Sequence, residues 1–270
     1  MVMRKYRQLK DNLRVCESLV VAFSGGVDST LLLGAAIDAL GPGRVLAAAF
    51  HAPFHGEEEL TAVQELAVHL NCRLEVIQDG GLLDNADFCA NPPNRCYICK
   101  HTILAQLLAL AEQKGLAAVA EGSNADDLRD YRPGMQAVEE LHVLSPLQSV
   151  GLTKQEIRQL SRDLGLPTWN KPSSPCLCSR IPYGSTITYA KLRQIEYGER
   201  FLKEAGFPEV RLRHHDNLAR IEVPADKMAA LLHGQTLSRT QSYLRGLGFQ
   251  YITLDLHGFR SGSLNEILRV

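Results

Sequence analysis

A short segment, Ser24-Gly25-Gly26-Val27-Asp28-Ser29, constrains this chain more than any other feature. It follows the apolar, β-branched run Ser18–Phe23 and precedes an apolar run reaching Leu40. A strand that turns straight into a helix leaves the first helical N–H groups without intrahelical partners. Glycines at that turn let an anion reach the backbone, where the helix end adds partial positive charge. Ser24, Ser29 and Thr30 add hydroxyl donors for phosphate oxygens. Asp28 is acidic where phosphates are expected, so it suits Mg²⁺ better than phosphate itself. The loop is neither a Walker A, since no Gly-Lys-[Ser/Thr] occurs in the chain, nor a G-x-G-x-x-G fingerprint.

The strand–helix pattern then recurs. Val45–His51 reads as a strand, Glu57–Leu70 as a helix, Cys72–Gln78 as a strand, Cys99–Gln113 as a helix and Ala117–Ser123 as a strand. Strands alternating with helices of this length predict an α/β fold on a parallel sheet, with ligands at the strand carboxyl ends. Thr153 followed by Glu156 predicts a capped helix over 153–165. Leu166–Gly184 holds four prolines and reads as a loop and domain boundary. We therefore expect an α/β domain carrying the glycine loop over 1–184. A smaller α+β domain over 185–270 follows, with a helix at 188–206, strands at 209–214 and 218–223, further helix over 225–248 and a last strand at 251–256. We expect this small domain to help hold substrate and to mediate homo-oligomerisation.

Charge and cysteine content narrow the function classes. Lys and Arg total 29 against 30 Asp and Glu, so no basic excess favours nucleic acid. No apolar run approaches the roughly 20 residues of a membrane span, and the start is too charged for a secretory leader. A cytoplasmic protein is expected. Seven cysteines is an odd number, and in a reducing compartment clustered cysteines read first as metal-binding or catalytic.

The Ser-Gly-Gly-x-Asp-Ser loop resembles the hallmark of the PP-loop ATP pyrophosphatase superfamily, which implies ATP bound through its β,γ-phosphates, adenylation and pyrophosphate release. Three further segments sharpen the likeness: Glu121–Gly134, with the sequence EGSNADDLRDYRPG; Pro175–Gly184, PCLCSRIPYG; and Leu254–Glu266, LDLHGFRSGSLNE. Together they resemble the LarE family, ATP-dependent sulfur transferases that build the nickel-pincer nucleotide cofactor. The resemblance implies a PP-loop fold and, as substrate, pyridinium-3,5-biscarboxylic acid mononucleotide, whose carboxylates become thiocarboxylates. Gly122, Asn124 and Asp127 are expected to join the loop in holding ATP and Mg²⁺. Asp126 and Asp130 are candidates for metal or substrate, and Arg129 and Arg132 for anionic groups.

By the same resemblance Cys176 is the sulfur centre, converted to dehydroalanine in members that sacrifice it. Cys96 and Cys99 form a C-x-x-C, and such a pair with one distant cysteine matches the three-ligand [4Fe-4S] sites of sulfur-transferring relatives. Cys96, Cys99 and Cys176 are the candidate ligands, with Cys178 an alternative third; four such cysteines could also bind zinc. Cys16, Cys72 and Cys89 read as structural. Arg211 and Arg213 alternate on a strand and share a face. The resemblance implies that they and the Arg260–Ser263 turn hold the substrate phosphate. Tyr183, Ser179 and Arg180 flank Cys176. His214-His215 reads as a turn next to that anion site. Other readings stay open: a tRNA thiolase, which would want a basic surface, an ammonia-using amidase, which would leave the cysteines idle, and a non-catalytic nucleotide sensor. The sulfur donor that recharges the protein is not legible.

Overall fold

A computed structural model describes residues 2–78, 81–129, 133–260 and 264. The chain divides into two units, Met1–Leu82 with Pro93–Ser174, and Leu83–Pro92 with Pro175–Val270. Among the described residues no helix is long and apolar enough to cross a membrane.

The first unit is α/β. Its elements are α1 (Val2–Arg14), β1 (Leu19–Ala22), α2 (Val27–Leu40), β2 (Val45–His51), α3 (Glu57–His69), β3 (Arg73–Gln78), α4 (Arg95–Lys114), β4 (Ala118–Ala120), α5 (Gly134–Glu140) and α6 (Lys154–Asp163). The sheet is parallel with order β3-β2-β1-β4, as the strand–helix alternation predicts. Both of its faces are covered, because β1 is apolar at every position. Leu19 and Val21 join one core with Leu9, Leu31 and Ile157, whereas Val20 joins another with Leu104, Leu107 and Val138. The chain builds outward through β2 and β3 and then returns to the other side of β1. The order reverses between β1 and β4, and the crevice outside their carboxyl ends is the natural ligand position of such a sheet.

Local signals set several boundaries. Thr153 and Glu156 make the expected capping box, so α6 starts where its sequence says it should. Gly115, in the left-handed region at φ 64°, stops α4. That helix begins at Arg95, four residues earlier than periodicity suggests, and takes the C-x-x-C into its first turns. The fourth strand is only three residues long, and Glu121–Asn124 beyond it is irregular.

The second unit carries α7 (Tyr189–Glu204), β5 (Arg211–His215), β6 (Leu218–Glu222), α8 (Gly234–Gly246) and β7 (Tyr251–Leu254). β5 and β6 are antiparallel, β7 adds parallel to β6, and the core gathers Leu202, Leu212, Ile221, Leu244 and Phe249. The helix or two expected over 225–248 appears as a short helix, Met228–Leu231, followed by α8, which Gly234 opens at φ 51°. The unit begins at Pro175, ten residues ahead of the boundary expected at 184/185, and it includes 83–92. The reason is a set of long-range backbone ties. Buried Asn91 donates through Nδ2 to the Ile181, Pro182 and Ser185 carbonyls at 3.2, 2.7 and 3.1 Å, and Ile187 N–H donates to the Cys89 carbonyl at 2.8 Å.

His214 sits in this unit's interior, its Nε2 2.9 Å from Gln194 Oε1, and its Nδ1 accepts from Asp216 N–H at 3.1 Å. Burial first, and the Lys191 charge second, lower its pKa from 6.5 to about 4. Folding therefore favours the neutral ring: stability is full above about pH 6.5 and falls as acidification protonates the unfolded chain first. Between pH 6.5 and 5 urea unfolding should show a loss on the order of 1 kcal/mol attributable to this ring. His214→Gln should be less stable at pH 7.5 yet flatter over that interval.

Candidate active site

The glycine loop lies at the carboxyl end of β1. Gly25 has φ 66°, and a β-carbon there would come within 2.9 Å of Val63 Cγ2 on α3, so both conformation and space require glycine. Gly26, extended at φ −81° and ψ 167°, is the N-cap of α2 and offers no side chain to cap it. Hydroxyls tie the turn together: Ser24 Oγ lies 3.1 Å from Ser29 Oγ, which is 3.2 Å from the Gly26 carbonyl. Thr30 is fully buried in α2, and its hydroxyl has no hydrogen-bond partner among the described residues. It lies inside the helix rather than on the loop surface.

The chain after β4 closes on the same loop. A β-carbon on Gly122 would stand 3.1 Å from Ser29 N, 3.3 Å from Ser29 Cα and 3.4 Å from the Asp28 carbonyl carbon, so the two backbones pass with no room between them. Asn124 points Nδ2 at Asp28 Oδ1, 3.5 Å away. Its backbone N–H donates to Asp127 Oδ2 at 2.9 Å, and its Oδ1 accepts from Asp126 N–H at 2.9 Å. Asp127 is buried, and its carboxylate caps the turn that Asn124 begins. Asp126 is exposed and accepts from Lys154 N–H at 2.8 Å. Asp130 and Arg132, and the side chain of Arg129, lie outside the described residues, as does 261–263.

Several groups to which the sequence reading gave no role converge here. Lys154 Nζ forms an ion pair with Asp28 Oδ2, and Lys171 Nζ donates to the Gly25 carbonyl at 2.9 Å. Glu121, almost fully buried, accepts from Lys100 Nζ at 2.8 Å, Ser145 Oγ at 2.5 Å and Ser123 Oγ at 2.8 Å. Burial would raise its pKa, but the Lys100 charge and these donors outweigh burial and lower it. Lys154 carried one legible signal, a cation in the first turn of a helix where the dipole disfavours it. A cavity of about 180 Å³ opens beside Ser24, lined among others by Phe23, Phe50, His51, His55 and Val63.

The donor set suits Mg·ATP. One carboxylate, Asp28, faces a loop of N–H and hydroxyl donors, and Mg²⁺ in nucleotide sites is held by one or two carboxylates plus phosphate. Gly25 and Gly122 let the loop pack directly against α3 and against the chain after β4, which fixes its shape.

The second unit organises the Cys176 segment. Cys176 caps a short 3-10 turn, Leu177–Arg180, and is half-buried, whereas Cys178 is fully buried. Arg180 grips Glu199 through Nε at 2.8 Å and Nη2 at 3.0 Å, and its Nη1 reaches the Pro175 carbonyl at 2.9 Å and Ser179 Oγ at 2.8 Å. Arg213 grips Glu222 in the same way, at 2.9 and 3.0 Å, and donates to the Ser179 carbonyl at 2.6 Å. Arg211 lies over Phe259, 4.5 Å from the ring centre, and donates to the Arg260 carbonyl at 2.7 Å. Arg211 and Arg213 do share a face, opposite Glu222 and Arg220. Arg260 is half-exposed, 3.8 Å from Asp255.

Of these three buried guanidiniums two are paired with buried carboxylates, Arg180 with Glu199 and Arg213 with Glu222, which also accepts from Arg220 at 3.3 Å. Burial, then the charges of Arg213 and Arg180, lowers the pKa of Arg211. Arg180 goes the other way: burial opposes its charge, but Glu199, and after it Cys176, raise it. Cys176 is thereby electrostatically coupled to this cluster.

Cys96 and Cys99 sit on the first turns of α4 in the first unit, Cys96 exposed and Cys99 half-buried. Spacing of three places both on one side of the helix. Cys176 and Cys178 belong to the second unit. Among the described residues no three His, Cys, Asp or Glu side chains are grouped around a common metal position. Cys16 and Cys72 pack against the core of the first unit, where burial raises their thiol pKa values. Cys89 Sγ donates to the Leu83 carbonyl at 3.1 Å.

No family model matches the chain. It is 41% identical over 268 residues to an uncharacterized protein of Synechocystis sp., covering 99% of each chain. It is 39% identical over 260 residues to the pyridinium-3,5-bisthiocarboxylic acid mononucleotide synthase of Lactiplantibacillus plantarum, covering 96% of this chain and 92% of that one. An uncharacterized protein of Methanocaldococcus jannaschii is 28% identical over 262 residues, covering 96% and 98%.

The contact at Gly122 is a direct handle on the loop. Gly122→Ala must push the Ser29 backbone outward by a few tenths of an ångström. ATP affinity in equilibrium dialysis should fall about tenfold or more, since small misplacements at such sites are costly. The unfolding midpoint should move far less.

Proposed function

This chain belongs to the family of pyridinium-3,5-bisthiocarboxylic acid mononucleotide synthases, and from that premise we propose how its own residues make the thioacid. It is an enzyme, a sulfurtransferase. The substrate is the corresponding biscarboxylic acid mononucleotide. A carboxylate oxygen is a poor leaving group, so ATP must first convert it into a good one. One carboxylate oxygen attacks the α-phosphorus, the bond to the bridging oxygen breaks, and pyrophosphate departs with the electron pair. A sulfur nucleophile then attacks the acyl carbon and AMP leaves.

In the first unit, the loop N–H groups of Gly25–Ser29 and the hydroxyls of Ser24 and Ser29 cradle the β,γ-phosphates. Asp28, with Asn124 beside it, would hold Mg²⁺, which supplies charge neutralisation at the phosphates when bound. The apolar cavity lined by Phe23, Phe50 and His51 takes the adenine ring. In the second unit, Arg211 and Arg260 receive the substrate phosphate, and Arg213, fixed on Glu222, holds the Ser179 carbonyl and supports their charge. We place the protein in the cytoplasm as a homo-oligomer.

The observation that carries this reading is the turn after Cys176, where Arg180 holds the Pro175 carbonyl and Ser179 Oγ and Arg213 holds the Ser179 carbonyl, within a buried cluster in which Arg180, Arg211 and Arg213 outnumber Glu199 and Glu222. A low-dielectric site with one unbalanced positive charge favours an anion, either a thiolate or a substrate phosphate. Cys178, sealed in the core, has no such access. Cys96 and Cys99, paired on the first turns of α4, are soft donors that would suit an iron–sulfur cluster, and that group would supply replaceable inorganic sulfide.

Cys176→Ala should release pyrophosphate from ATP and the mononucleotide at close to the wild-type rate, yet form no thiocarboxylate by mass spectrometry. Persistence of the thioacid would move the sulfur role away from Cys176. Anaerobic iron and sulfide analysis separates the two sulfur sources. Iron and sulfide in near-equal amounts mark the cluster route. Iron-free protein that loses the elements of hydrogen sulfide at Cys176 during a single turnover marks sacrifice.

A further inference from the structure

The Gly25–Gly26 peptide joins two residues that lack a β-carbon, so little in the loop itself keeps it from turning over. Gly25 stands at φ 66° and Gly26 at φ −81°. Inverting the peptide between them would carry the Gly26 φ into the positive region, which costs glycine little and other residues much. A trans peptide points its carbonyl and its N–H in opposite directions. Whatever fixes the Gly25 carbonyl therefore decides where the Gly26 N–H aims. That N–H faces Ser24 Oγ, 3.4 Å away, on the side where the Ser24 and Ser29 hydroxyls meet at 3.1 Å.

The carbonyl is held from outside the loop. Lys171 Nζ donates to it at 2.9 Å across 146 residues of sequence, a charge-assisted bond. Lys171 is half-buried and lies in no helix or strand, so its backbone needs support of its own. Arg158, on α6, supplies it: Nη1 donates to the Trp169 carbonyl and Nη2 to the Lys171 carbonyl, each at 2.8 Å. The planar guanidinium spans both carbonyls at once, which a lysine ammonium would not do in one fixed geometry. The Lys171 N–H closes the turn on the Thr168 carbonyl at 3.0 Å, and Pro172 disfavours helical backbone at Lys171.

We propose that Lys171, braced by Arg158, is a positioning residue of the nucleotide loop: it holds the Gly25 carbonyl turned away from the phosphates, so that the Gly26 N–H stays aimed at them. This rests on the reading above that the loop takes ATP. The Lys171 ammonium itself touches no phosphate. It removes, before nucleotide arrives, the freedom that two adjacent glycines leave in the loop, and binding then carries no cost of ordering that peptide. Arg158 acts only through Lys171.

The test compares the wild type with Lys171→Met, Arg158→Met and the double variant. In equilibrium dialysis with Mg²⁺ and ATP, Kd should rise about tenfold in Lys171→Met, the scale on which a misplaced binding group is felt. Arg158→Met should raise it about threefold, as expected when hydrogen-bonded support is loosened but the lysine remains. The double variant should match Lys171→Met, because a residue that acts only through another adds nothing once the other is gone. The Gly25 carbonyl carbon, followed by NMR in nucleotide-free protein with isotope-labelled glycine, should move upfield in Lys171→Met and part of the way in Arg158→Met. Wild-type ATP affinity in Lys171→Met overturns the proposal. So does a weakened Lys171→Met whose Gly25 resonance has not moved, since the ammonium would then act elsewhere. A double variant weaker than Lys171→Met by the full Arg158→Met factor overturns the part given to Arg158. A wild type that binds no ATP overturns the reading of the loop and the positioning role with it, whereas the Gly25 resonance still reports whether Lys171 holds the carbonyl.

Discussion

The first unit depends on one close passage, that of Gly122 across the backbone of Asp28 and Ser29. It exists because β4 returns to the free side of β1, so that the loops leaving two adjacent parallel strands must share the same crevice. Only a residue without a β-carbon lets them meet at this distance. Once they meet, the start of α2, with its unsatisfied N–H groups, faces Asn124 and the ammonium of Lys154. The anion site is therefore a property of two segments nearly a hundred residues apart, and neither segment makes it alone.

The second unit manages a different constraint. Burying a guanidinium is costly unless a carboxylate and further hydrogen bonds satisfy it. Arg180 and Arg213 are each bidentate to a glutamate and each tied to Ser179, three residues after Cys176. Among the described residues Arg211 meets a carbonyl and an aromatic face. The rigid pairs thus hold the 3-10 turn after Cys176 in one shape, and the imbalance is left where a phosphate or thiolate can use it.

Much of this was legible along the chain. The glycine loop, the strand–helix alternation and the Thr153–Glu156 box are local signals, and each appears where its residues predict. The shared face of Arg211 and Arg213 follows from strand periodicity. Burial was not legible: nothing in Cys-Leu-Cys says which cysteine enters the core. The same holds for the burial of Asp127 and of Thr30, and for the boundary at Pro175, set by Asn91 reaching carbonyls some ninety residues on.

By itself the sequence determined what short-range sterics and periodicity control: where helices and strands form and where glycine must stand. The tertiary structure alone decided the partners, Lys154 for Asp28, Lys171 for the Gly25 carbonyl, Glu199 for Arg180 and Lys100 for Glu121. The physical reason is that a pairing across tens to more than a hundred residues depends on strand order and on which side of a sheet the chain returns, and no local window of sequence contains that information.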